Sequence, residues 1–322
     1  MKITILDTAT FGNDIDLSDF KKLGEVTSYE YSSQEEAAER LAKDNPDVVI
    51  VNKVIMDAKM MAQAPALKMV AETATGFNNI DLKYAEEHRI RVANVPAYST
   101  KAVVQHTFAL CFYVLEKLSY YDEYVKSGKY QKSRVFTHLA KVFPELDGKT
   151  WGIVGLGAIG REVAKVAAAF GCRVIAYSAS GGTYNSEYEQ VDFDTLLKES
   201  DILSIHAPLN EYTKNLMDYD AFCRMKKSAV LINVGRGPIV NEADLVRALN
   251  EEQISGAGLD VLSEEPMNED NPLNAINDSC RLIITPHIAW APYETRCRLL
   301  HEVYENIAAF SRGEERNCVR VN

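Results

Sequence analysis

Residues 150–178 read TWGIVGLGAIGREVAKVAAAFGCRVIAYS and decide the fold. An apolar run of strand length precedes the pattern G-x-G-x-x-G, apolar residues at helical spacing follow it, and Gly171 stands before a second apolar run. A dinucleotide-binding unit requires this order, because the glycines allow a tight turn and a close backbone approach to a pyrophosphate. The helix N-terminus would offer N–H donors and a partial positive charge to the diphosphate. The stretch therefore predicts a nicotinamide dinucleotide site.

The composition of the chain is that of a globular protein, with 47% hydrophobic and 25% charged residues. Its 322 residues exceed the size at which a single core stops growing, so we expect two domains. The net charge of −11 argues against a nucleic-acid surface, which needs a concentrated positive field. No apolar run approaches the ~18 residues of a membrane span. We therefore expect neither nucleic acid nor membrane as a partner.

The six cysteines are scattered without a C-x-x-C pair. This distribution favours reduced thiols over a disulfide framework or a zinc site. Histidines outside the motifs share no ligand spacing with acidic or cysteine partners, so we expect no metal. The N-terminal stretch Met1–Asp7 has the length of a strand and no apolar signal core. We therefore expect a cytoplasmic protein.

Short apolar runs alternate with helical stretches on both sides of the glycine motif. Before the motif, strands are predicted at 3–6, 48–51, 68–71 and 91–93, and helices around 33–43, 56–64 and 81–87. After the motif, strands are predicted at 202–206, 229–233, 256–260 and 282–285. This alternation predicts parallel, doubly wound sheets.

A turn-rich hinge candidate, NVPAYST at 94–100, separates the two halves and supplies Ser or Thr to cap the next helix. A long helix is predicted from Lys101 to about Ser127, and its apolar content is too continuous for a lone surface helix. We expect it to pack in an interface, with a subunit interface as one option. A last helix, predicted over 292–312, returns the chain toward the first half if that half is discontinuous.

Three residues suited to carbonyl chemistry follow strands of the second half. Arg236 comes after the run 229–233, where open α/β sheets bind ligands, and arginine can hold a carboxylate through two parallel N–H bonds. A surface arginine in a glycine-rich turn is the alternative. His287 follows the run 282–285, and Glu265 is a carboxylate available to pair with it. Hydride transfer to a carbonyl leaves an alkoxide that needs a proton, which a carboxylate-paired imidazolium can supply. A lone histidine is otherwise more often structural.

Together these motifs resemble the D-isomer-specific 2-hydroxyacid dehydrogenases. The resemblance rests on residues 155–160, 233–240, 258–261 with 265–266, and 286–291, and extends to 75–81 and 94–100. It implies an α/β fold of two doubly wound parallel-sheet domains. One is a Rossmann-type nucleotide domain, residues 100–287, and the other a smaller, flavodoxin-like substrate domain, residues 1–99 and 288–322. It also implies a homodimer.

The resemblance implies a role for each matched residue. Arg236 would bind the substrate carboxylate and carbonyl, His287 would be the general acid/base, and Glu265 would be its partner. Backbone N–H groups of Thr75 and Gly76 would hold the other face of the carboxylate. The implied cofactor contacts are Gly155, Gly157, Ala158 and Ile159 at the pyrophosphate, and His206, Ala207, Pro208, Asn233, Val234 and Asp260 along the ribose and nicotinamide.

The end of the second nucleotide-domain strand departs from the family pattern, because most NAD-selective members carry an acidic residue there. This chain has Ser178, followed by Ala179, Ser180 and two glycines. No carboxylate repels a 2′-phosphate, and no arginine or lysine follows at once to attract one. Ser178 can donate to either cofactor, unless the Ser/Gly run is a surface loop without a part in selectivity. We expect NAD(H), with NADP(H) as the alternative.

The motifs HIAWA at 287–291 and QHTFA at 105–109 look most like those of glycerate dehydrogenases, also called hydroxypyruvate reductases. The resemblance thus implies NAD(P)H-dependent reduction of a small 2-keto acid, hydroxypyruvate or glyoxylate, to D-glycerate or glycolate. Two alternatives stay open at this point. One is a dinucleotide-sensing interaction protein, like the transcriptional corepressors of this fold, and the other is a relative acting on another small acid such as formate or phosphite.

Overall fold

The computed structural model describes residues 1–184 and 187–321, so Asn322, the end of the predicted terminal segment, lies outside the described residues. The chain divides into two compact units, Met1–Ser99 with Ala291–Asn322, and Thr100–Trp290. The sequence analysis placed the second boundary after residue 287. Residues 288–290 belong instead to the second unit, because the Asp260 carboxylate accepts hydrogen bonds from the backbone N–H groups of Ile288 and Ala289.

The strands and helices of the described residues have the following bounds. The strands are β1 (Lys2–Ile5), β2 (Glu25–Ser28), β3 (Val48–Val51), β4 (Met69–Glu72), β5 (Arg91–Ala93), β6 (Thr150–Val154), β7 (Arg173–Tyr177), β8 (Glu189–Gln190), β9 (Ile202–Ile205), β10 (Val230–Asn233), β11 (Gly256–Leu259), β12 (Leu282–Ile284) and β13 (Cys318–Val319). The α-helices are α1 (Gln34–Asp44), α2 (Ala58–Met61), α3 (Leu82–Glu87), α4 (Thr100–Leu115), α5 (Leu118–Lys126), α6 (Ala158–Ala169), α7 (Phe193–Glu199), α8 (Tyr219–Arg224), α9 (Glu242–Asn250) and α10 (Tyr293–Ser311). Short 3-10 turns cover Thr8–Phe11, Ser18–Lys22, Tyr130–Lys132, Gly237–Ile239 and Pro272–Ala275.

The first unit contains a sheet in the order β13-β5-β4-β3-β1-β2. The strands β1 to β5 are parallel, and β13 pairs antiparallel with β5 at the edge. The order β2-β1-β3-β4-β5 is that of a flavodoxin-like sheet. Both β3 and β4 are buried along their whole length, as expected of parallel strands covered by helices on both faces.

The second unit contains a fully parallel sheet in the order β12-β11-β10-β9-β6-β7-β8. Counted from β6, this is the Rossmann order 3-2-1-4-5-6 with one more strand beyond it. The central strands β9, β10 and β11 are buried throughout. The predicted fold of two doubly wound, parallel-sheet α/β domains is therefore confirmed.

The prediction of one helix from Lys101 to about Ser127 is wrong in one respect, because this stretch forms two helices, α4 and α5. Lys117 between them has a φ of +56°, a left-handed conformation that a right-handed helix cannot pass through. Helix α4 packs on α6, β10 and β11 of its own unit, and most of its apolar side chains are buried there. The core of the unit thus accounts for the apolar content of α4, which by itself does not indicate a subunit interface.

Candidate active site

The glycine motif forms the turn between β6 and α6. Gly155 has a φ of +89°, and a Cβ there would lie 2.9 Å from the backbone N of Ala207. A Cβ at Gly160 would lie 2.2 Å from the oxygen of Gly155, so glycine lets α6 pack on the turn. At Gly157 a Cβ would meet no atom within 4 Å, and no side chain caps α6. The first amides of α6, at Ala158–Ile159, therefore start beside open space and have no intrahelical acceptor.

His206 follows β9 next to this turn, ahead of the buried Ala207 and the exposed Pro208. The indole Nε1 of Trp151 donates to Ser204 Oγ at 2.8 Å, and this Oγ lies 3.0 Å from His206 Nε2. Burial lowers the pKa of His206 to about 3, so its imidazole is neutral at pH 7. Its Nδ1 is buried and has no hydrogen-bond partner within the described residues, which leaves one polar ring atom for a ligand.

Ser178 directly follows β7 and is buried, with its Oγ 3.5 Å from Ser180 Oγ. The loop beyond it is tied to β8, because Gln190 donates from Nε2 to the oxygen of Gly182 at 2.8 Å and accepts at Oε1 from the N–H of Tyr184 at 2.9 Å. Residues 185 and 186 of this loop lie outside the described residues. The end of β7 thus presents the buried hydroxyl of Ser178 beside this loop.

Asn233, the last residue of β10, shapes the turn that carries Arg236. Asn233 is buried; its Oδ1 accepts from the N–H of Gly235 at 3.0 Å and its Nδ2 donates to the oxygen of Arg236 at 3.1 Å. Arg236 Nη1 donates to the oxygen of Gly235 at 2.8 Å, its one side-chain hydrogen bond within the described residues, although a guanidinium has five N–H donors. A Cβ at Gly237 would lie 1.9 Å from the carbonyl of Leu262, so this turn packs directly on the segment after β11.

His287 and Glu265 are within hydrogen-bond distance of each other. His287 Nδ1 lies 2.7 Å from Glu265 Oε2, and Glu265 Oε1 accepts from the N–H of Leu262 at 3.0 Å. The two side chains are 30% and 26% exposed, respectively. With Nδ1 held by the carboxylate, Nε2 of His287 is the ring nitrogen left for a ligand.

The turn that carries His287 is bonded to Asp260, which follows β11. His287 has a φ of +55°, and its N–H donates to the oxygens of Asp260 and Thr285, both at 2.9 Å. The Asp260 carboxylate accepts from the N–H groups of Ile288 and Ala289, both at 2.8 Å. The main chain around His287 is therefore held by one buried residue. Both carboxylate oxygens of Asp260, for which the sequence analysis expected a cofactor contact, accept bonds from the chain itself.

Arg236 and His287 lie at the same edge of the second-unit sheet. Arg236 follows β10 and His287 follows β12, and these parallel strands are separated only by β11. Neighbouring strands are about 4.8 Å apart, so the ends of β10 and β12 are about 10 Å apart. The carboxyl edge of an open α/β sheet is where such folds bind ligands.

In the first unit, Thr75 and Gly76 follow β4. Thr75 Oγ1 donates to the oxygen of Val95 at 2.9 Å, and Asn94 Nδ2 donates to the oxygen of Thr75 at 2.7 Å. Asn306 Nδ2 in turn donates to the oxygen of Asn94 at 3.0 Å. The loop at 75–76 is thus fixed at the carboxyl edge of its own sheet, with Thr75 exposed and Gly76 half-buried.

Comparison with known proteins decides the family. Residues 108–289 match the profile of the D-isomer specific 2-hydroxyacid dehydrogenase NAD binding domain. The chain is 35% identical over 323 residues to a hydroxypyruvate reductase of Blautia hydrogenotrophica, which covers 99% of both chains. It is 35% identical over 319 residues to a glycerate dehydrogenase of Methylorubrum extorquens, covering 99% of this chain and 98% of the relative. The chain belongs to the D-isomer-specific 2-hydroxyacid dehydrogenase family.

Solved structures place nicotinamide cofactors on this dehydrogenase fold. The D-lactate dehydrogenase from Aquifex aeolicus complexed with NAD and lactic acid superimposes with a TM-score of 0.83 at 28% identity, over 98% of this chain and 96% of that one. An acyclic imino acid reductase in complex with NADPH and D-Arg superimposes with a TM-score of 0.86 at 32% identity, over 99% and 100% of the two chains. The dehydrogenase described here is accordingly an oxidoreductase of small 2-hydroxy and 2-keto acids that uses a nicotinamide dinucleotide.

The described residues of the dehydrogenase fit such a cofactor. A Cβ at Gly157 would meet no described atom within 4 Å, so a pyrophosphate could approach the first amides of α6, and the buried Nδ1 of His206 has no hydrogen-bond partner within the described residues. Buried Asn233 and Val234 line the next strand end along the same edge. A bound nicotinamide would supply hydride chemistry at this edge.

Two features are absent from the described part of the dehydrogenase. None of its helices combines the length and the hydropathy needed to cross a bilayer. Over the same residues, no three His, Cys, Asp or Glu side chains are grouped so that they could hold a metal ion.

Sequence analysis gave no role to three residues that support the site of the dehydrogenase. Glu242 accepts from the N–H of Ser263 at 2.6 Å and from Asn271 Nδ2 at 2.8 Å, which anchors the segment that leads to the Glu265 loop. Its place in the first turn of α9 is ordinary for an acidic residue, so no sequence signal separates it from a surface glutamate. The other two, His106 and Thr285, contact Asp260.

Proposed function

We propose that this dehydrogenase reduces hydroxypyruvate or glyoxylate to D-glycerate or glycolate, and catalyses the reverse reaction, with His287 as the proton donor. The observation that carries the proposal is the 2.7 Å pair of His287 and Glu265 at the sheet edge that also carries Arg236. The names of the full-length relatives, hydroxypyruvate reductase and glycerate dehydrogenase, support the choice of substrate.

Each proposed role follows from the chemistry of the side chain. A reduced nicotinamide bound at this edge would supply the hydride for the carbonyl carbon of the keto acid. Nε2 of His287 then gives its proton to the developing alkoxide, while Glu265 stabilises the imidazolium and fixes the ring through Nδ1. The guanidinium N–H groups of Arg236 bind the substrate carboxylate and polarise the carbonyl oxygen. The carboxylate contact of the backbone N–H groups of Thr75 and Gly76, which belong to the first unit, stays a prediction of the family resemblance.

A steady-state panel tests this proposal. Purified dehydrogenase is mixed with NADH or NADPH and with hydroxypyruvate, glyoxylate, pyruvate or 2-ketobutyrate, and cofactor oxidation is followed by absorbance. We expect the highest kcat/KM with hydroxypyruvate or glyoxylate, and D-glycerate as the product from hydroxypyruvate by enantioselective chromatography. A folded, cofactor-binding protein without turnover on any of these acids would contradict the proposed function.

We also propose NAD(H) as the preferred cofactor, with NADP(H) accepted. The supporting observation is the buried hydroxyl of Ser178 at the end of β7, which can donate to a ribose hydroxyl or to a 2′-phosphate. Dissociation constants for both reduced cofactors test this preference. The variant Ser178→Asp is expected to weaken the binding of NADPH more than the binding of NADH, because a carboxylate there repels the 2′-phosphate of NADPH.

Two further proposals concern the setting of the enzyme. We propose a homodimer, supported by the exposed apolar side chains of one segment after α5, where Phe136 is 86%, Leu139 82% and Val142 91% exposed. We propose a cytoplasmic location, supported by the six cysteines, all of which are free.

A further inference from the structure

His106 lies on α4, has no catalytic or binding role in the proposed function, and contacts residues that hold the His287 turn. His106 Nε2 is 2.9 Å from Thr285 Oγ1 and 3.3 Å from Asp260 Oδ1. Thr285 Oγ1 donates to the same Asp260 oxygen at 2.6 Å. The side chains of His106 and Asp260 are 19% and 1% exposed. These three residues form a polar cluster at the turn that carries His287.

The donors of this cluster can be assigned by counting hydrogens. Thr285 has one hydroxyl hydrogen, which it donates to Asp260, so its oxygen is left to accept. An ionised carboxylate can only accept. Nε2 of His106 therefore carries a hydrogen and donates toward Thr285 and Asp260.

The cluster determines where the main chain of His287 can lie. The Asp260 carboxylate that receives these donors also receives the N–H groups of Ile288 and Ala289. The N–H of His287 itself donates to the main-chain oxygens of Asp260 and Thr285. His287 is a non-glycine residue at a φ of +55°, a conformation that persists only where the surroundings hold it. Rotation of the Asp260 carboxylate would break the hydrogen bonds from the N–H groups of Ile288 and Ala289, which hold the main chain directly after His287.

We propose that His106 is a positioning residue for His287, acting through Thr285 and Asp260. The inference rests on the proposed function, in which Nε2 of His287 delivers the proton to the substrate. It gives the Asp260 carboxylate a role in holding the acid/base turn, whatever contact the residue also makes to a cofactor. A misplacement of the imidazole by about 1 Å is enough to lower the rate of proton transfer by up to about 100-fold.

The test compares four variants with the wild-type enzyme. His106→Leu removes the donor, His106→Gln keeps an N–H near the position of Nε2, and Thr285→Val removes the hydroxyl and keeps the side-chain shape. His301→Leu, at an exposed position of α10, is the matched control. The measurements are kcat and KM for the keto acid, the dissociation constant of NADH, and the primary isotope effect on kcat with deuterated NADH.

We expect His106→Leu and Thr285→Val to lower kcat by about 10-fold to 100-fold, with NADH affinity unchanged and an isotope effect larger than that of the wild type. His106→Gln is expected to recover most of the lost kcat. A residue that only stabilised the fold would lower the melting temperature without enlarging the isotope effect of the folded enzyme.

The contrary outcomes are distinct from failure of the proposed function. A wild-type enzyme without turnover refutes the proposed function itself. An active wild type with equal kcat in His106→Leu and His301→Leu overturns the positioning role alone, and so does a His106→Gln variant as slow as His106→Leu. If His106→Leu does not fold, Thr285→Val decides: an unchanged kcat in that variant overturns the inference.

Discussion

The His287 side chain presents one ring nitrogen to Glu265 and the other away from it, so its removal isolates the proton-transfer step. We expect His287→Ala to lower kcat for keto-acid reduction by about 10²–10⁴-fold, the range typical of a lost general acid. The NADH dissociation constant, measured by fluorescence titration, is expected to stay the same. A variant with wild-type turnover would remove His287 from the mechanism.

Glu265 can be tested without changing the shape of the pair. Glu265→Gln keeps a hydrogen-bonding group near Nδ1 of His287 and removes the negative charge beside the ring. Because the ring loses the carboxylate that orients it for proton transfer, we expect kcat for keto-acid reduction to fall by at least about 10-fold. kcat and KM are measured with saturating NADH, with the NADH dissociation constant as the control. A variant with the kcat of the wild type would mean that the carboxylate does not assist His287.

His206 gives a stability prediction with a defined sign. Its pKa is about 3 in the folded protein and about 6.5 in an unfolded chain. The unfolded state therefore binds more protons between these values, and the free energy of unfolding falls as pH falls through that window, by up to about 1.4 kcal/mol per pH unit. Urea unfolding at pH 7 and pH 5 should show a pH dependence that is smaller in His206→Gln. Equal dependences would show that the imidazole titrates normally.

At the scale of helices and strands, the burial of a strand determined whether the sequence predicted it. The run Val48–Val51 was predicted within its observed bounds because a fully buried parallel strand is a continuous apolar run. Strand β2, half-exposed at the sheet edge, has no such pattern and was missed. The break at Lys117 was also missed, since lysine has no special tendency to adopt a positive φ.

The candidate site was predictable to the extent that it lies in contiguous motifs. Arg236, Glu265 and His287 were predicted as site residues because each stands in a short pattern after a strand, and the alternation of strands and helices brings those strand ends to one edge. The contacts of His106 were not predictable from the sequence. They join α4 to Asp260 and Thr285, which lie 154 and 179 positions after His106 in the chain. Such a pairing depends on how α4 crosses the sheet and leaves no periodic signal.

The start of α6 yields a prediction at the element scale. A Cβ at Gly157 would meet no atom of the described residues within 4 Å, and the φ of −78° suits any residue, so Gly157→Val is expected to fold like the wild type. The valine would fill the space that the pyrophosphate needs, and we expect NADH affinity to fall by at least about 10-fold. Calorimetric titration and thermal unfolding measure the two effects. Unchanged NADH affinity would place the diphosphate elsewhere.

The control for this prediction is Gly160 on the same helix. A Cβ there would lie 2.2 Å from the oxygen of Gly155, so Gly160→Val is expected to lower the melting temperature as well as NADH affinity. The contrast between the two glycines separates a ligand-binding role from a packing role within one turn.

For the whole molecule, the open question is the assembly of the chain. Most apolar side chains of helix α4 are buried within its own unit. The segment after α5, by contrast, exposes several large apolar side chains, among them Val135, Phe136, Leu139 and Val142. A monomer with a net charge of −11 would keep these side chains in water at a cost of about 25 cal/mol for each Å² that a partner could cover. A second copy of the same chain, bringing the same segment, is the partner that we propose.

The double substitution Phe136→Asp with Leu139→Asp tests this assembly. Both residues are exposed, so the fold of the chain should tolerate the change, while two carboxylates in an apolar contact would be desolvated on association. Light scattering after size exclusion is expected to give twice the chain mass for the wild type and the chain mass for the variant. Tyr212→Asp, at another exposed aromatic, is the control and should stay dimeric. A monomeric wild type, or a variant that remains dimeric, would show that this segment does not join two chains.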